Sequence, residues 1–193
     1  MGAYFLLLGL AFLFIEMAFI QKFILFLSHP LYSVAVVLSG FLVFAGLGSV
    51  LSERLAGKLE GNDCSPVAIA VGGIALFAIV YVILLPLVFQ RCIGFSDPVK
   101  IVISVVLIAP LASSMGMPFP LGLWYVAATA PKLIPWAWGI NGFASVISAV
   151  LATLLAIEFG FVFVILVALV LYAMAALIFV SRTGPRSPNP LRQ

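Results

Sequence analysis

Long apolar runs alternate with short polar joints along this chain, and the runs set the architecture. A helix needs about 20 apolar residues to cross a hydrocarbon core of about 30 Å. Six such runs stand out: about Ala3 to Leu27, Leu31 to Leu51, Pro66 to Phe89, Val99 to Leu121, Ala137 to Ile157 and Phe161 to Val180. The first stops before His29-Pro30, the second at Ser52-Glu53-Arg54, the third at Gln90-Arg91, the fifth at Glu158-Phe159-Gly160 and the sixth at Ser181-Arg182. Two joints are plainly polar. One is Glu53 to Asp63, with Arg54, Lys58 and Glu60; the other is Arg91 to Lys100, with Gly94 and Pro98 as breakers. Trp124 to Pro135 is intermediate in polarity and predicts a short interfacial segment, with Trp124, Tyr125, Trp136 and Trp138 at headgroup depth. The pattern predicts an all-α polytopic membrane protein: a six-helix transmembrane domain over 1–182 and a disordered tail over 183–193, rich in proline, serine and arginine.

Composition strengthens the membrane assignment. Of 193 residues, 65% are hydrophobic and only 8% are charged, where a soluble domain carries roughly 25% charged residues. The net charge of +3 is small and the basic residues are scattered over the joints, which argues against a nucleic-acid partner. A cleaved signal peptide fits poorly, because the first run is too long and no basic segment precedes it. Cys64 and Cys92 flank the third run, roughly 40 Å apart along a helix, too far to pair as a disulfide. With one histidine, His29, and no cysteine–histidine cluster, neither a metal site nor a cofactor is expected.

Basic residues also orient the bundle. One side would carry Arg54, Lys58, Lys132, Arg182, Arg186 and Arg192; the other would carry Lys22, Arg91 and Lys100. The excess places the first side, with both termini, in the cytoplasm.

A few polar residues inside the runs call for an explanation. Glu16 sits near the middle of the first run, where a carboxylate costs several kcal/mol unless it faces protein or water. It is either a proton, cation or polar-substrate site, or a hydrogen-bonded glutamate that holds two helices together. Gln21 and Lys22 follow it. Lys22 lies about 120° around the helix from Glu16, so the two should not pair, and Lys22 is expected to snorkel to the interface. His29 is expected at the interface. The fourth run contains Pro110, Ser113, Ser114, Gly116, Pro118 and Pro120. Its prolines each remove a backbone hydrogen bond and predict a bent or broken helix, either lining a binding cavity or kinking near the membrane exit. In the fifth run, Gly142, Ser145, Ala149, Ala152 and Ala156 recur in steps of three and four, a small-residue face for close helix packing. Asn141, at its start, could bond across helices or meet a substrate. No phosphate-binding glycine loop, HExxH or GxSxG motif is present.

The end of the second run, Gly48, Glu53, Arg54, Gly57 and Lys58, resembles the loop between helices 2 and 3 of major facilitator transporters, with glutamate where aspartate is usual. A wider match runs through Phe14-Ile15-Glu16-Met17-Ala18-Phe19-Ile20-Gln21-Lys22-Phe23, His29-Pro30-Leu31-Tyr32-Ser33, Gly116-Met117-Pro118-Phe119-Pro120-Leu121-Gly122 and Trp136-Ala137-Trp138-Gly139-Ile140-Asn141-Gly142. From about Gly9 to about Val180 the chain resembles the C-terminal membrane domain of bacterial spermidine-synthase-like proteins, described as fused facilitator/spermidine synthases. The resemblance implies half of a facilitator fold in a bacterial inner membrane, beside a cytosolic S-adenosylmethionine-fold domain as partner. Any transferase activity is expected to belong to that domain, outside these residues, so the chain itself is not expected to be an enzyme. Glu16, Gln21, Lys22, His29, Pro118, Pro120 and Asn141 carry over as candidate positions. Two functions compete: a transport or binding module for a small cation or polyamine, paired with a copy of itself or another membrane subunit, and a structural or anchoring subunit of a larger complex. An intramembrane enzyme ranks last, because no acid pair or cysteine–histidine pair converges.

Overall fold

The computed structural model describes residues 1–58 and 65–183. Among these, every regular element is helical: α1 (Gly2–Leu27), α2 (Pro30–Lys58), α3 (Pro66–Cys92), α4 (Asp97–Met115), α5 (Pro118–Thr129) and α6 (Ile134–Thr183), with a 3-10 turn at Pro131–Leu133. Several begin on a proline at or near their first position, where its fixed φ suits the helix and its missing N–H would have no partner anyway. α1 ends at Ser28, in the left-handed conformation (φ 59°), whose N–H bonds back to the Ile24 carbonyl.

Five stretches are long and apolar enough to cross a membrane: Gly2–Leu27, Pro30–Arg54, Pro66–Cys92, Asp97–Thr129 and Pro131–Thr183. Many large apolar side chains point outward from them, among them Leu42 and Leu47 on α2, Ile83 on α3, Val106 on α4 and Val146, Val150 and Leu177 on α6. Such broad apolar surfaces are stable only against lipid. The chain is a multi-pass membrane protein.

α1 is the axis of the bundle. Two-thirds of its most apolar window is buried, against a fifth to two-fifths for the other four stretches. Its largest interface is with α6, which holds it along both of its arms. Gly160 interrupts α6 with φ 82° and ψ 173°. Before this residue the chain runs alongside α1 in the same direction: Ile140 lies by Gly2, Asn141 bonds Phe5 and Ser148 bonds Leu10. Beyond it, Phe161 packs on Phe19 and Phe179 packs on Tyr4, so the second arm runs back antiparallel to α1. The 50 residues of α6 would extend about 75 Å if straight; the reversal instead returns their end to the level of α1's start.

α2 and α4 approach most closely through two glycines. Gly48 lies against the Ser113 backbone and Gly116 against the Ala45 backbone, each leaving no room for a Cβ atom. Small residues permit such backbone contact between membrane helices, where dispersion and weak polar contacts replace the hydrophobic drive of water.

The elements depart from expectation in four places. α2 extends to Lys58, so Glu53 and Arg54 are exposed on its last turns and Gly48 is a packing residue of a helix interior; none of the three lies in a loop. Charged residues can continue a helix beyond the hydrocarbon, where water solvates them. The side chain of Lys58, and Glu60, Asp63, Cys64 and the tail 184–193, lie outside the described residues, while Thr183 still belongs to α6. The fourth run breaks at Gly116-Met117 alone. Pro110 sits within α4 without breaking it, while Pro118 and Pro120 open α5, in the first turn where a missing N–H costs little. Trp124 to Thr129 is consequently helical, and only Ala130 to Leu133 forms a joint. The fifth and sixth runs are separate helical arms, and the joint expected at Glu158-Phe159-Gly160 narrows to the single residue Gly160.

Candidate functional site

Glu16 belongs to the most deeply buried helix and is only 4% exposed. Its flanks on α1, Ile15 and Phe19, are fully buried, and Phe19 is edge-on to Phe41 of α2 and to Tyr81 of α3. No hydrogen bond or charged partner from a described residue reaches its carboxylate. Burying such a group unpaired is costly in any apolar interior.

The returning arm of α6 brings a second orphan. Its inward stripe is Val164, Ile165, Ala168, Tyr172, Ala175 and Phe179. Tyr172 is 1% exposed and its hydroxyl has no hydrogen-bond partner. The contact of Phe179 with Tyr4 sets Tyr172 about 10 Å along the axis from Tyr4, at a level about 7 Å short of Glu16. Tyr4 is satisfied differently: its hydroxyl donates to the Pro118 carbonyl at 2.5 Å, at the break between α4 and α5. Of these three groups only Tyr4 has a hydrogen-bond partner among the described residues.

The remaining candidates do not converge on Glu16. Asn141 donates its side-chain amide to the Phe5 carbonyl at 3.1 Å, near the start of α1 and about 16 Å along the helix from Glu16. Ser114 donates to the Pro110 carbonyl one turn back, and Ser113 offers its backbone to Gly48. Gln21 is half-buried. Lys22 holds its ammonium 5.4 Å from the centre of the Phe161 ring, a cation–π contact at the turn of α6. His29 is exposed, edge-on to Tyr32. Among the described residues no three His, Cys, Asp or Glu side chains gather to hold a metal ion.

The packing face of the first arm of α6 is rotated from the expected one. The buried positions are Ala137, Ala144, Ser148 and Ala152. Ser145, Ala149 and Ala156 flank them half-buried, and Gly142 is exposed with open space beyond it. The reason lies in the polar ties: Asn141 and Ser148 both bond carbonyls of α1 and turn that face inward.

Two residues escape the sequence reading. Tyr172 is the only tyrosine of the last apolar run, framed by Ala168, Ala175 and Ala176, and that isolation was the available signal. Lys100 looks like a joint cation, yet it is 7% exposed in the first turn of α4, with its ammonium 5.9 Å from the centre of the Phe26 ring. Phe26 in turn stacks on Phe89 at 4.3 Å. Comparison with protein-family models, curated proteins and solved structures finds no match to this chain.

Proposed function

We propose that the chain is a facilitator-like membrane module whose central helix carries a cation site at Glu16, suited to a small cation or a polyamine. The observation that carries this reading is a carboxylate 4% exposed on the axial helix with no partner among the described residues. Intramembrane acids in that position mark ion and proton pathways. We further propose six crossings, the last two being the arms of α6 on either side of Gly160. The reversal there supports this count, since each arm is long enough to span about 30 Å. Under that topology Arg54, Lys58, Lys132, Arg182, Arg186 and Arg192 share one face with both chain ends, and the excess of basic residues makes it the cytoplasmic face of a bacterial inner membrane. A cytosolic S-adenosylmethionine-fold domain, as the resemblance implies, would dock on that side, and a second membrane subunit or copy would complete the facilitator-like half.

Ligand-dependent stability tests the site. A cation that binds only the folded chain at 100 times its Kd raises stability by about 2.7 kcal/mol. In mild detergent, sodium or spermidine should raise the melting temperature of the wild-type chain and not that of Glu16→Gln. Equal responses in both would refute the site.

A second reading, a structural or anchoring subunit, rests on a separate observation. Asn141, Ser148 and Tyr4 spend donors on carbonyls of other helices and tie them together, while Ser114 spends its own on α4, which leaves little for a substrate. Stoichiometric co-purification of a membrane partner, with no cation response, would favour it.

A further inference from the structure

We propose that Tyr172 is the partner of Glu16, and that the two enclose a site for a single water-sized cation, a hydronium or a bare alkali ion, which an organic polycation does not fit. This rests on the reading of Glu16 as a cation site and narrows its ligand.

The register comes first. Phe179 packs on Tyr4 with ring centroids 5.4 Å apart, which fixes the returning arm of α6 against the start of α1. Tyr172 lies seven residues before Phe179, about 10 Å along the axis, and is therefore level with Ala11. Glu16 is five residues further along α1, about 7 Å deeper. Side chains in a helix lean toward its own N-terminus. The two helices are antiparallel, so Tyr172 leans toward the Gly160 end and Glu16 leans toward the Met1 end. The hydroxyl and the carboxylate therefore lean toward each other along the axis from levels about 7 Å apart.

Chemistry comes second. The Tyr172 hydroxyl is fully buried with no hydrogen-bond partner, and Glu16, 4% exposed, makes no hydrogen bond to a described residue. Buried polar groups in native proteins are almost always satisfied, and an exception points to a missing water or ion. One such exception, able to donate and to accept, near a carboxylate able to accept, describes a two-walled site. If a proton is the ligand, it passes from hydronium to one carboxylate oxygen, leaving a Glu16 carboxylic acid and a neutral water. Tyr172 keeps its own proton and donates it to the other oxygen. If an alkali ion is the ligand, the carboxylate and the phenol oxygen coordinate it and no bond to hydrogen changes.

Size comes third. Ala11 and Ile15 on α1, and Ala168 and Ala175 on the returning arm, surround this level, and each is fully buried. Interiors of this kind are close-packed, and a polyamine would have to displace these side chains.

Infrared difference spectra of the full chain in phosphatidylcholine–phosphatidylglycerol vesicles test the proposal, with far-UV circular dichroism as the control for folding. Tyr172→Phe removes only an unpartnered hydroxyl, so a merely structural tyrosine would give a variant of unchanged spectrum. The wild-type chain should show a carboxylic-acid C=O band, or a sodium-induced carboxylate change, that Glu16→Gln lacks. In Tyr172→Phe the band should move to higher frequency as its hydrogen bond is lost, or the sodium concentration needed should rise at least about tenfold. A band that persists in sodium identifies the proton as ligand; one that sodium abolishes identifies the alkali ion. A Tyr172→Phe spectrum identical to wild type overturns the pairing and leaves Glu16 a cation site. Spermidine acting as effectively as sodium overturns the size argument alone. The absence of any Glu16-dependent signal overturns both this inference and the reading on which it rests.

Discussion

Tyr4 donates its hydroxyl to the carbonyl of Pro118 across 2.5 Å, joining the start of the axial helix to the break between α4 and α5. The same ring fills the space above Gly122, where a Cβ atom would collide with it. One tyrosine therefore both caps a broken helix and sets its distance from α1. Tyr4→Phe keeps the ring and removes the bond to that carbonyl, at a cost of about 1 kcal/mol. Gly122→Val displaces the ring and should cost more, on the order of 2 kcal/mol. Denaturant titration of the purified chain, followed by helical circular dichroism, ranks the two.

The reciprocal glycines of α2 and α4 give a second expectation. At Gly48 and Gly116 an added Cβ meets backbone atoms of the other helix, which cannot rotate aside. Gly48→Val or Gly116→Val should destabilise by about 1–3 kcal/mol. Gly46 and Gly72 face open space, and alanine there should be neutral or stabilising by up to about 1 kcal/mol, since alanine is the better helix former. The same denaturant titration separates the two pairs.

Gly160 occupies a backbone region that only glycine enters freely, with φ 82° and ψ 173°. Its side has space, so any penalty is conformational and not steric crowding. Gly160→Ala should cost about 1–3 kcal/mol and loosen the reversal. The same denaturant titration should show Gly160→Ala unfolding at a lower midpoint than the wild-type chain.

The rotated face of α6 sets a serine inward and a glycine outward. Ser148 is fully buried and donates to the Leu10 carbonyl at 2.7 Å. Ser148→Ala should cost about 0.6 kcal/mol, the average for hydrogen bonds between membrane helices, and Ser148→Leu several times more through overpacking. Gly142→Leu, on the exposed side, should be tolerated. Thermal unfolding of the three variants in detergent gives the order.

Much of this architecture is written in the hydrophobic pattern. Apolar length alone locates the helices, because lipid leaves no other way to satisfy the backbone. The break near Gly116 is legible from the clustered prolines. Its exact place is not, because the effect of a proline depends on its position in the helix: Pro110 is absorbed inside α4, whereas Pro118 starts a helix. Glu16 is legible as an anomaly, since a charge within an apolar run has no sequence-level excuse. Tyr172 is not, because a tyrosine is ordinary in such a run until the antiparallel return of α6 sets it beside Glu16. The face of α6 is misjudged for a related reason: spacing of small residues identifies a stripe, but Asn141 and Ser148 decide which way it turns. Lys100 is hidden by its place near a joint, where a charge is normally solvated.

The central claim is that Glu16 handles a cation within the bundle, and flux through reconstituted vesicles tests it most directly. The full chain would be placed in vesicles with a pH-sensitive dye, a sodium indicator or radiolabelled spermidine inside, and an opposing gradient outside. The account predicts movement of one of these cations above that of empty vesicles, abolished by Glu16→Gln and retained by Gln21→Ala, with both variants folded. Flux by Glu16→Gln equal to that of the wild-type chain would contradict it.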